Sequence, residues 1–190
     1  MSPTVINGLP AHILFVHFVV VLVPLTALAV VAGAARPRWA RRMGLILPVT
    51  ALVTLGMVPV TTHAGEWLEQ RSGHSALLER HTELGDSLLP WATALFLAAT
   101  AVWWTGRRTA TAANANADGN GNGNGNGNVN ASGSGAAAAP SWLTTSWFRA
   151  AAVVLAVVVA AGAVVDVYRI GDSGAKAAWQ GTAQSAGAPR

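Results

Sequence analysis

Cysteine is absent from the 190 residues, which excludes disulfides, thiolate metal sites, Cys-ligated iron–sulfur clusters and a cysteine nucleophile from this chain. Charge is scarce as well. Asp, Glu, Lys and Arg make up 11% of the residues, against about 25% in an ordinary soluble domain, which argues against a cytosolic enzyme. Lysine occurs once, and the twelve basic residues are too few and too scattered among the aromatics for a nucleic-acid binder. No nucleic-acid partner is expected. Arginine in place of lysine, with abundant Ala and Gly, points to a GC-rich bacterial genome.

What the chain has in quantity is apolar sequence, 52% of its residues. Uncharged runs cover 11–35, 43–65 and 87–106. A shorter one at 150–165 is extended by Trp142, Trp147 and Phe148, with Arg149 able to snorkel to the interface. About 20 apolar residues cross a bilayer, and lipid offers the backbone no hydrogen-bond partners, so such runs must be helical. None of the four has the charged outer face that a soluble bundle needs. The fold class is therefore all-α, a four-helix transmembrane bundle. The flank before the first run, MSPTVINGLP, holds no Lys or Arg. The run also outlasts the usual core of a signal peptide (about 7–15 residues), so it reads as a retained helix.

Orientation follows from where the basic residues sit. Arg36, Arg38, Arg41 and Arg42 follow the first span, and Arg107, Arg108 and Arg149 flank the connection between the third and fourth. That side has seven Arg and one acid, Asp118; the other has five basic residues against seven acids. The positive-inside rule then predicts a multi-pass protein of the bacterial cell membrane, with both Arg-rich connections in the cytoplasm and both termini outside. Residues 109–139 alternate Asn and Gly and lack large apolar side chains, which predicts a disordered cytoplasmic linker between helices three and four. The chain thus divides into 1–108 with three spans, 109–139, and 140–190 with the fourth span and an outer tail. The four spans form one membrane domain. Pro24, Pro48, Pro59 and Pro90 fall inside spans and predict bends. Ala152, Ala156 and Ala160 make a small-residue stripe suited to close packing.

The ionisable groups gather at the outer end. His12 and His17 open the first span, His63 and Glu66 close the second, His81 and Asp86 open the third, and Asp166 and Tyr168 close the fourth. His12 and His17 are five residues apart and so differ by roughly 140° around a helix, with His17 about 7.5 Å deeper. His63 and Glu66, three apart, share a face, and His74 and His81, seven apart, are nearly in line with Leu77, Leu78 and Leu88. Three readings stay open. The groups cap helix ends at a wet interface; or two of His17, His63 and His81 ligate a b-type haem; or His12, His17, His63, Glu66, His81 and Asp86 supply a non-haem site for Zn, Fe or Cu. The sharpest expectation is that His17 and His81 face the interior and approach each other near Glu66 or Asp86, because an unpaired buried imidazole is costly. Gly171-Asp172-Ser173-Gly174 matches a serine-protease tetrapeptide but follows a membrane helix, so it reads as a Gly-bounded turn ending that helix. His63-Ala64-Gly65-Glu66 lacks the spacing of a zinc-protease motif.

The stretches GLPAHILFVHFVVVLVPL at 8–25, HTELGDSLLPW at 81–91 and VYRIGDSGAKAAW at 167–179 resemble the bacterial membrane family known as domain of unknown function 2231. The resemblance implies a four-helix membrane domain without an assigned activity. His12, His17 and His81 lie in the matching stretches, while His63 joins them by position alone. Some relatives are joined to Rieske-type iron–sulfur domains, which implies a redox setting and a redox partner protein besides the lipid bilayer. The expected function is a structural or accessory membrane protein that is not an enzyme; the alternative is a membrane redox protein carrying haem b or a metal.

Overall fold

The computed structural model describes residues 5–6, 9–72, 76–120 and 146–186. A two-residue antiparallel ladder, β1 (Val5–Ile6) with β2 (Leu9–Pro10), precedes α1 (Ala11–Ala35). There follow a short α2 (Pro37–Met43), then α3 (Ile46–Ser72), α4 (Ala76–Asn120) and α5 (Ser146–Ala186). Four of these helices are long and apolar enough to cross a membrane, over Leu14–Ala35, Ile46–Glu66, Glu79–Thr111 and Ser146–Lys176. The four-helix reading of the sequence holds.

The long helices form a ring in the order α1, α3, α4, α5, with α1 and α4 also meeting across its short diagonal. Each runs antiparallel to its neighbours. Toward one end, Val19 and Val23 pack with Val58, Leu88, Ala92, Ala163 and Val167; toward the other, Val30 packs with Leu47, Ala51, Ala99 and Ala156. Residue numbers rise in α1 and α4 as they fall in α3 and α5. The outside is the inverse of a soluble surface: Leu28, Ile46 and Leu155 are 69%, 70% and 63% exposed. A contiguous apolar exterior on helices of this length belongs in lipid.

Small residues set how closely the helices approach. Ala156, Ala160 and Ala163 are buried, so the small-residue stripe runs inward from Ala156, while Ala152 is exposed. The Trp91 ring lies directly over Gly162, where any Cβ would overlap it. Thr26 and Thr54, both buried, join α1 to α3 through hydroxyls 3.1 Å apart. Since Thr54 gives its hydrogen to the Thr50 carbonyl, Thr26 is the donor between them.

Three local expectations need correction. The Arg-rich connection is not a simple loop but contains α2, opened by Pro37 in its first turn and closed by Gly44 at φ 52°. Pro48 lies in the first turn of α3, where no intrahelical bond needs its missing N–H, whereas Pro24, Pro59 and Pro90 are interior. The helix α4 continues through Asn120, so residues 109–120 of the expected linker are helical. The Ala-rich start of that segment, TATAANANA, favours propagation off the end of a span. The rest of the linker lies outside the described residues.

Candidate functional site

Polar side chains meet at the end of the bundle where α4 starts, along the seam between α4 and α5. Ser87 Oγ lies 3.0 Å from both carboxyl oxygens of Asp166 and 2.6 Å from the Leu84 carbonyl. Asp166 is 6% exposed, the one buried acid among the described residues, and Ser87 is its hydrogen-bond partner. Its neighbours in sequence, Tyr168 and Arg169 on α5, and Asp86 beside Ser87 on α4, are exposed.

About 10 Å further along α5, by the helical rise, Ser173 meets His81 across the same seam at 2.9 Å from Nδ1. Ser173 donates its one hydrogen to the Ile170 carbonyl at 2.8 Å. With that hydrogen on the Ile170 carbonyl, Nδ1 of His81 is the donor in the 2.9 Å contact. Gly174 completes the contact: a Cβ there would stand 3.0 Å from His81 Cε1, so a side chain at 174 would push the ring back by a few tenths of an ångström.

This arrangement corrects the reading of Gly171-Asp172-Ser173-Gly174 as a turn, since α5 runs straight through it. Each internal glycine costs about 1 kcal/mol against alanine. The Asp172–Lys176 pair, 2.6 Å apart with i,i+4 spacing, and the Ser173 back-bond support the helix across them.

The other candidates fall elsewhere. His17 is exposed on α1. His81 does turn inward, but toward Ser173. His63 is exposed and donates from Nδ1 to the Pro59 carbonyl of its own helix at 3.0 Å. Glu66 and Asp86 are exposed. The side chains of His12, Leu77 and Leu78 and the whole of His74 lie outside the described residues. No group of three or more His, Asp or Glu suited to hold a metal occurs among the described residues.

Sequence reasoning placed both Asp86 and Asp166 at this end but took only Asp86 as a candidate ligand. Asp86 and Ser87 differ by about 100° around α4, which sends the acid outward and the hydroxyl toward α5. The signal for Asp166 was in the sequence. It is the sole ionisable residue in the apolar run from Ala150 to Tyr168, apart from the tyrosine itself, and an ionisable group at membrane depth marks a candidate site by default.

The profile of the family described as "Predicted membrane protein (DUF2231)" matches residues 8–187, all four long helices included. The chain belongs to the DUF2231 family. Curated proteins and solved structures yield no match. The DUF2231 chain is therefore a membrane protein of several apolar helices, seated in a lipid bilayer, whose biochemical role has to be argued from its own residues.

Proposed function

We propose that the protein is a structural or accessory component of the bacterial cell membrane, not an enzyme, and that its working element is the α4–α5 polar seam. Asp166 carries this reading: a carboxyl 6% exposed at membrane depth, held by one serine. Such a group is expensive to keep in a bilayer and is rarely incidental. Ser87 Oγ, 3.0 Å from both carboxyl oxygens and 2.6 Å from the Leu84 carbonyl, ties α4 to α5 at this level. His81 and Ser173 join the same two helices about two turns further on. In this reading the seam fixes the register of α4 on α5.

The test compares the natural protein with Asp166→Asn and Ser87→Ala by thermal unfolding in lipid. Lower stability of both variants supports the reading; variants as stable as the natural protein refute it. Orientation is tested separately. Because the chain has no cysteine, Gln70→Cys and Gly125→Cys each give a single reactive site. With both termini outside, an impermeant thiol reagent labels position 70 but not 125 in intact cells. The opposite pattern inverts the topology.

A further inference from the structure

The opposite end of the bundle carries a different feature. A recess of about 360 Å³ opens between the end of α1, the start of α2 and the first turn of α5, lined by Ala35, Arg36, Pro37, Arg38, Trp39 and Arg149. Its level is set by the ends of two apolar spans, one finishing at Ala35 and the other starting at Ser146. The recess therefore lies where hydrocarbon gives way to headgroups. Trp39 is 52% exposed there, and its ring belongs to the aromatic belt of that surface.

Three arginines line the recess, and no Asp or Glu is among its lining residues. Among the described residues the one ion pair is Lys176–Asp172, at the other end of the bundle. Nearby Arg107 and Arg108 differ, since they lie over the rings of Trp103 and Trp104 at 5.3 and 4.9 Å from the centroids. Among the described residues no carboxylate or ring pairs with Arg36, Arg38 or Arg149, which leaves them available to an anion from outside the chain. Guanidinium forks match phosphate oxygens bidentately. The Ala35 wall continues onto the apolar flank of α1, where Leu28, about two turns back on the same face, is exposed. A ligand with its phosphate among the arginines and its tails along that flank fits both surfaces. On the orientation proposed above this end faces the cytoplasm, and a basic recess at that surface suits an anionic headgroup.

We propose that this recess binds the phosphate group of a net-negative phospholipid, with Arg36, Arg38 and Arg149 as the phosphate ligands and Trp39 packed against the glycerol region. A choline headgroup presents the same phosphate but adds a cation that the three arginines repel, so charge, and not the phosphodiester alone, sets selectivity.

The experiment uses the full chain in detergent, with short-chain phosphatidylglycerol, phosphatidylcholine of the same chain length, and inorganic phosphate as probes. Bound lipid is counted by native mass spectrometry. The natural protein is expected to hold phosphatidylglycerol at least tenfold more tightly than phosphatidylcholine. The Arg36→Gln/Arg38→Gln/Arg149→Gln variant should lose that preference, and Arg41→Gln/Arg42→Gln, which removes charge at the same end but outside the recess, should keep it. Equal binding of the two lipids by the natural protein overturns the proposal without recourse to any variant. So does equal loss in both sets of variants, which makes the effect a diffuse field. Full displacement of phosphatidylglycerol by millimolar inorganic phosphate assigns the recess to a free anion and likewise overturns it.

Discussion

The Trp91 ring of α4 rests on the backbone of Gly162 in α5, closing the seam at a depth between the Ser87–Asp166 contact and the middle of the bundle. A methyl group at 162 overlaps three ring atoms of a rigid side chain packed against the core. Gly162→Ala should therefore destabilise the protein by about 1–3 kcal/mol, the usual range for overpacking. Thermal denaturation in detergent reads this directly. Trp91→Leu in the Gly162→Ala background should recover much of the loss, and a double variant no better than the single one would place the strain elsewhere.

Removing the Ser87 hydroxyl leaves Asp166 buried with no side-chain partner. Ser87→Ala should cost about 1–3 kcal/mol, the penalty of an unsatisfied buried polar group. Ser87→Thr, which keeps the hydroxyl, should cost less. Detergent-unfolding titrations of the two variants make the comparison, and equal losses would mean that packing, not the hydrogen bond, matters at this position.

The Ser173–His81 contact predicts a tautomer. With the Ser173 hydrogen on the Ile170 carbonyl, Nδ1 of the imidazole is the donor. Nitrogen-15 spectra of histidine-labelled protein at alkaline pH should show His81 as the Nδ1–H form. Ser173→Ala should shift that signal and leave that of His63 in place, since His63 donates to its own helix. An Nε2–H signal in the natural protein would reverse the direction of the bond.

Residues 121–139 should be dispensable for insertion. Their Asn/Gly composition buries no core, and deletion still leaves 140–145 between the described ends of α4 and α5. The part of α4 beyond Arg108 can unwind to lengthen the connection. Quantitative blotting of membrane fractions should find the shortened protein at near-natural levels; loss of the protein from the membrane would give the linker a structural part.

How much was legible in advance differs between the fold and the site. The four spans follow from length and composition, because hydrocarbon tolerates little else than helices with few charges. Sequence distance alone did not decide what faces what. The expected His17–His81 pair required two helices to be rotated so that both rings point inward, and the rotation observed brings Val19 inward and leaves His17 exposed. The same limit applies to Asp86 and Ser87, adjacent residues with opposite surroundings.

The sequence by itself determined that this chain enters a bilayer, how many times it crosses, and which ends carry arginine. Those properties are sums over local segments, each settled by transfer of its own residues from water to lipid. Only the tertiary structure decided that Asp166 would meet Ser87 and that His81 would meet Ser173, 92 positions away. It also seated Arg149 beside Arg36 and Arg38 around one recess. Those pairings depend on the rotation and depth of α5 against α1 and α4. Small residues set that fit, notably Gly162 beneath Trp91 and Gly174 beside His81, and their meaning lies in what approaches them.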